Sequence, residues 1–324
     1  MPELPDIAIY IDALEKRVLG SVIEDIRVAN PFFLRSFDPP IRAAVGKRVL
    51  NIRRLGKRIC FALENDLFLV LHLMIAGRLR WSPKKAKIVG KIGLGAIDFS
   101  SGTLLITEAS TKKRASLYLV RGEAALLEHQ RGGIEVLDAK LTDFSDALTR
   151  ENHTLKRALT DPRLFSGIGN AYSDEILHRA KLSPAKKTNS LTSPEIQRVY
   201  TSTQAIMTEW IARLRQQTGA DFPKDVTAFR PEMAVHGKYN QPCPDCGSPV
   251  QRIVYAENEA NYCPTCQTNG KLLADRSLSR LLKSDWPRTM EELDELHATL
   301  RESAESLARR RGQGPVDRGH NGAK

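Results

Sequence analysis

Residues 155–177 read LKRALTDPRLFSGIGNAYSDEIL, and this stretch decides the character of the C-terminal half. Two helical stretches flank a turn that carries Gly167 and Gly169, with Asn170 expected as the cap of the second helix. Glycines here allow another backbone to approach closely, and an uncovered helix N-terminus is a ready site for phosphate. Asp174 and Glu175 suit the helix dipole but do not help to bind an anion.

Downstream, CPDC and CPTC place Cys243, Cys246, Cys263 and Cys266 in the pattern C-x2-C-x16-C-x2-C. Each pair presents two thiolates on a tight knuckle, and two knuckles close a tetrahedron around one structural zinc ion with no position left for water. The metal supplies folding free energy to a segment too short to bury a core of its own. The fifth cysteine, Cys60, lies in an apolar strand-like run and is expected to pack in the core.

Upstream, the runs VIEDIRVA, RVLNIRRL, RICFAL, LFLVLHLM, GAIDFS, TLLITEA and ASLYLV dominate from about residue 22 to 124, separated by turn residues. They predict an antiparallel sandwich or barrel. Ile7, Tyr10, Ile11, Leu14 and Val18 recur at helical spacing, so an amphipathic helix precedes the strands. Past residue 130 the pattern turns helical, through LTDFSDALTRE, HTLKRALTDPRLF, NAYSDEILHRAKL and SPEIQRVYTSTQAIMTEWIARLRQQ.

The expected fold class is therefore α+β. It comprises an N-terminal helix plus antiparallel β-sandwich over residues 1–130, a helix-two-turn-helix region over 131–224 and a zinc ribbon over 225–272. A charged helical extension containing Trp286, ending in a disordered tail, fills 273–324.

Among the 324 residues, 49 Lys and Arg stand against 38 Asp and Glu, a surplus of +11 that favours a polyanionic partner. Glu3, Asp6, Asp12, Glu15 and Lys16 interrupt the start, which excludes a secretory signal, and the apolar run from Leu67 to Gly77 is too short to span a bilayer. The expectation is an intracellular, cytoplasmic protein with no membrane partner.

MPELPD at the start, RRLGKRI, HLMIAG, LFSGIGNAYSDE and the CPDC…YCPTCQ ribbon occur together in one order. The combination resembles the formamidopyrimidine-DNA glycosylase and endonuclease VIII family of bifunctional DNA-repair enzymes, over about residues 1 to 268. The resemblance implies a monomer acting on double-stranded DNA that contains damaged bases or abasic sites. It also implies that Pro2, freed by removal of Met1, is the nucleophile, that Glu3 is the general acid and base, and that Lys57 grips phosphate beside the reaction centre. His72, Lys156, Asn170 and Arg252 carry over as phosphate contacts, and Arg114 as the residue that fills the orphan base's place.

Physical chemistry makes the opening residues sensible apart from any likeness. An α-amine has a pKa of about 7.7–8.0 against about 10.4 for lysine, so at pH 7.5 roughly a third is unprotonated against about 0.1%. Attack on the sugar C1′ by such an amine expels the base and leaves an iminium that acidifies the C2′ proton, which leads to strand scission by β-elimination, with δ-elimination a further step.

Four departures from the family pattern fall on base handling. Asn258 stands where the hairpin normally carries an arginine, Ile75 stands beside Met74 where a methionine is usual, and Arg114 is followed by Ala115 with no wedge aromatic. The segment TGADFPKDVTAFRPEMAVHGKYN is shorter than the loop that closes over 8-oxoguanine. They favour a divergent lesion preference, or, as an alternative, a non-catalytic or lyase-only damaged-DNA binding protein on the same scaffold.

Overall fold

The computed structural model describes residues 1–224, 226–255, 258–274 and 287–303, apart from 294, 297 and 300. Helix α1 (Leu4–Val18) opens the chain, with Pro5 early in its first turn and Asp6 near its positive end. Eight strands follow: β1 (Ile23–Val28), β2 (Val49–Leu55), β3 (Arg58–Leu63), β4 (Leu67–His72), β5 (Gly77–Ser82), β6 (Gly93–Phe99), β7 (Gly102–Glu108) and β8 (Ser116–Arg121). They form two antiparallel four-stranded sheets, ordered β1-β6-β7-β5 and β2-β3-β4-β8.

One core lies between the sheets, where Ile26, Ile97 and Leu104 of the first meet Phe61, Leu69 and Leu117 of the second. Alternation along β4 explains why nearly all of it is buried. Leu67, Leu69 and Leu71 enter that core, while Phe68 and Val70 join Leu55, Cys60 and Leu126 in a second cluster under the short helix α2 (Gly122–Leu127). Cys60 is thus core packing, as expected.

Sequence reading found seven of these strands and missed β5. In GRLRWS, Leu79 and Trp81 alternate with Arg78 and Arg80, which is the half-buried strand pattern, but it directly follows a longer apolar run.

The second half is helical. A two-residue strand β9 (Ile134–Glu135) precedes α3 (Leu141–Thr149) and α4 (Leu155–Thr160), and pairs in parallel with β10 (Phe165–Ser166). Helix α5 (Asn170–Arg179) and the long α6 (Ser193–Thr218) follow. The stretch 153–165, expected to be largely helical, is helix over six residues only, because Asp161-Pro162 ends it and the chain must extend to form β10. Helix α1 packs against both α6 and β2, so it joins the two halves.

A hairpin of β11 (Gln251–Tyr255) and β12 (Asn258–Tyr262), with a turn of helix α7 (Pro264–Thr268), forms the ribbon. Helical backbone recurs among the described residues of 290–303. The expected disordered tail and Trp286 lie outside the described residues. Among the described residues no helix is long and apolar enough to cross a membrane.

Candidate active site and nucleic-acid interface

The sequence reading placed an open phosphate site at the N-terminus of α5. The structure fills that position with the protein's own carboxylate. Glu3, 2% exposed, accepts hydrogen bonds from the backbone N–H groups of Gly169 (2.6 Å), Ala171 (2.9 Å) and Tyr172 (3.4 Å). Leu4 N–H donates to Gly167 O at 3.0 Å, which brings the start of the chain against the glycine turn.

Both glycines are explained by this contact. A Cβ on Gly169 would fall 2.5 Å from both Glu3 Cδ and Lys57 Nζ, and one on Gly167, whose φ is +85°, would meet Leu4 Cβ at 2.8 Å. The cap position of α5 is Gly169, not Asn170 as expected, because the incoming carboxylate serves the N–H groups that an Asn side chain would otherwise satisfy. Asn170 instead donates through Nδ2 to Glu259 O of β12 at 2.8 Å.

Lys57 sits in the β2–β3 turn, with its ammonium directed inward toward Glu3. Burial lowers its pKa, partly offset by Glu3, and Lys156 lowers it further. Met1, Lys57, Arg58, His72, Arg131 and Arg163 line one cleft of 570 Å3, together with Gly167 and the Gly132-Gly133 pair. Pro2 is buried behind Met1, which forms part of the cleft wall. Burial also lowers the pKa of the Met1 amine, against the opposing influence of Glu3.

His72, at the end of β4, has its pKa pushed down to about 3 by burial and by Arg58, Lys57 and Arg131. It is a neutral imidazole at physiological pH and can offer an N–H to an anion without contributing charge.

Lys156 is 4% exposed, and its Nζ donates to Asp174 Oδ1 (2.5 Å) and Asn170 O (2.6 Å). Asp174 also meets His236 Nδ1 at 2.8 Å and Asn261 Nδ2 at 3.3 Å. Its neighbour Glu175 accepts the backbone N–H groups of Ala234, Val235 and His236 at 2.8, 3.0 and 3.0 Å. These acids are therefore inward anchors that fix the approach to the ribbon, not surface residues tuned to a dipole.

Pro2, Glu3, Lys57, His72, Lys156 and Asn170 gather around the cleft and the α5 N-terminus. Two expected residues stand elsewhere. Arg252 lies over the Tyr239 ring at 4.3 Å on the hairpin, and Arg114, whose N–H donates to Glu108 Oε2 at 2.8 Å, precedes β8. Sequence reading missed Arg58, Arg131 and Arg163. It also missed Asp6, which accepts from Glu3 N–H (2.9 Å) and from Arg230 (2.8 Å), tying the first turn of α1 to the loop after α6. The capping spacing from Glu3 to Asp6 was the available signal.

At the ribbon, the sulfurs of Cys243, Cys246, Cys263 and Cys266 all lie within 4.8 Å of one another. Cys246 and Cys263 are 3.4 Å apart, and Cys243 and Cys266 4.0 Å. Zn–S bonds of about 2.3 Å require tetrahedral S···S edges of about 3.8 Å, so the donor set fits zinc.

Residues 1–115 match the formamidopyrimidine-DNA glycosylase N-terminal domain, 134–221 its H2TH domain, and 240–269 the zinc finger found in FPG and IleRS. A formamidopyrimidine-DNA glycosylase of Thermus thermophilus is 32% identical over 280 residues, covering 83% of this chain and 100% of the relative. This chain belongs to the formamidopyrimidine-DNA glycosylase family.

Another glycosylase of that name, from Listeria monocytogenes, is 29% identical over 277 residues, covering 82% of this chain and all of the relative. Among solved structures, MutM in complex with DNA containing carbocyclic 8-oxo-G has a TM-score of 0.73 at 26% identity, with 82% of this chain and 100% of that chain covered. The Lactococcus lactis Fpg bound to DNA with an abasic site has a TM-score of 0.72 at 26% identity, with 82% and 99% covered. Membership of the formamidopyrimidine-DNA glycosylase family confirms the expected α+β fold, and the four cysteines hold its one structural zinc.

Proposed function

We propose that the chain is a bifunctional DNA glycosylase and abasic-site lyase of base excision repair. The observation that carries this reading is the seating of Glu3 on the α5 N-terminus beside Lys57, with Met1 in the wall of a cation-lined cleft. The names of its relatives, and the damaged or abasic DNA bound in their structures, support it.

Removal of Met1 frees the Pro2 nitrogen at the cleft wall. That amine attacks C1′ of the damaged nucleotide, the C1′–N bond to the base breaks, and the base leaves with its electron pair and a proton. The attacking nitrogen then gives up its proton, the C1′–O4′ bond breaks with O4′ taking up a proton, and the nitrogen lone pair closes the iminium, which carries a positive charge beside Glu3. A base then takes the C2′ proton, the C3′–O bond breaks, and the 3′ phosphate departs. Glu3 is placed to exchange protons in these steps because it adjoins Pro2 and is shielded from bulk water.

Pro2 is buried, and burial of an amine favours its uncharged, reactive form. Lys57, His72, Arg58 and Arg131 are assigned to phosphates flanking the reacting sugar, and Arg252 to the backbone farther along the duplex.

Borohydride reduction on abasic-site duplex tests the reading. A covalent protein–DNA adduct is expected for the parent, and far less for Pro2→Gly. Absence of an adduct in the parent would instead support the binding-protein alternative, which Asn258 and the Arg114-Ala115 pair favour. N-terminal sequencing checks that Met1 is removed, and base release from a panel of lesion-containing duplexes identifies the substrate.

A further inference from the structure

Three side chains of α5 recur at intervals of four: Asn170, Asp174 and His178. That spacing puts them in one row with a rise of about 6 Å between successive members. All three engage the ribbon or the segment leading into it. Asn170 bonds Glu259 O, Asp174 bonds His236 and Asn261, and His178 Nε2 lies 3.3 Å from Cys243 Sγ.

His178 is 4% exposed, so its ring nitrogen must find a partner inside the protein. Asp245 Oδ2 stands farther away, at 3.7 Å, and is engaged by Lys181. The sulfur is therefore the acceptor within reach. A zinc ion bound by four thiolates leaves a net charge of −2 on the centre, and an N–H donor to one thiolate disperses part of it.

We propose that His178 is a positioning residue for the zinc centre: its Nε2–H donates to the Cys243 thiolate and couples metal retention to the helix whose other end seats Glu3. It rests on the zinc site and stands whether or not the lyase reading holds. Asp245, His178 and Cys266 also lie close together, but Cys266 is already a member of the four-sulfur set, so this group is read as its surroundings.

The test uses the full chain loaded with zinc, and separately with Co2+ as a spectroscopic probe. His178→Leu should release zinc to a chromophoric chelator about tenfold faster, the lower end for loss of such a partner. Its sulfur-to-cobalt charge-transfer band should move to longer wavelength, since an unbonded thiolate is easier to oxidise. His178→Gln, which keeps an N–H donor at similar reach, should stay near the parent on both readouts.

Parental release rates and an unchanged band in His178→Leu would overturn the proposal. So would a parental spectrum with the intensity of three thiolates instead of four, since His178 would then be a direct ligand. If the leucine variant does not fold, His178→Asn against His178→Gln carries the same test, because the shorter amide falls short of the sulfur. Equal release by those two would likewise overturn it.

Discussion

Gly169 leaves no room for a methyl group, because Glu3 Cδ and Lys57 Nζ occupy the space a Cβ would take. Its φ of −135° is ordinary, so a substitution acts through displacement and not through backbone strain. Gly169→Ala should push the carboxylate aside and reduce the rate of adduct trapping by about 100-fold, the scale of a 1 Å misplacement, while leaving Pro2 intact. Trapping kinetics with abasic duplex check it, and a parental rate would show that Glu3 does not need this seat.

His72 offers a second prediction at the same scale. Its folded pKa of about 3 lies below the unfolded value, so between pH 3 and about 6.5 the unfolded chain binds the extra proton. The contribution to stability is fully present above that window and is lost as pH falls through it, at up to about 1.4 kcal/mol per pH unit. His72→Asn should flatten the pH dependence of urea unfolding between pH 4 and 6, and an unaltered slope would assign the effect to other groups.

Helix α5 works as an element because nearly every inward position has a partner from a different part of the chain. Asp174 is its hinge point, joined to Lys156 of α4, His236 and Asn261. Removing one member of a buried ion pair costs about 3–5 kcal/mol, since the other charge is left without compensation. Asp174→Asn should therefore lower unfolding stability on that scale, and a loss below about 1 kcal/mol by urea titration would mean that water or His236 takes over the role of partner.

Here the limits of sequence reading are clear. The helix–glycine turn–helix order, the cysteine spacing and seven strands were legible because each rests on local pattern. That Glu3 would cap a helix 166 residues away was not, because the GIG turn looks the same whether its helix end receives an external phosphate or the chain's own carboxylate. Lys156 is expected from the sequence to be a phosphate contact, with nothing local to show that it is buried. Its burial depends on Asp174, which is 18 residues away and looked like an ordinary helix acid.

For the whole molecule, the +11 surplus sets a field that favours DNA. Each phosphate neutralised contributes about 0.9 to the slope of log K against log salt. Arg252→Ala should lower that slope by about one, measured by fluorescence anisotropy on abasic duplex between 50 and 200 mM salt, with the loss spread evenly over DNA sequences. An unchanged slope would remove Arg252 from the interface and leave it as the residue that covers Tyr239.

The bond from Gly169 N–H to Glu3 has a consequence for biosynthesis. The amino terminus leaves the ribosome first, yet the Glu3 carboxylate has no dock until α5 has been made and folded. On the proposed lyase reading, a truncated or half-synthesised chain therefore lacks the seat its acid needs and is born disarmed, without any separate inhibitor.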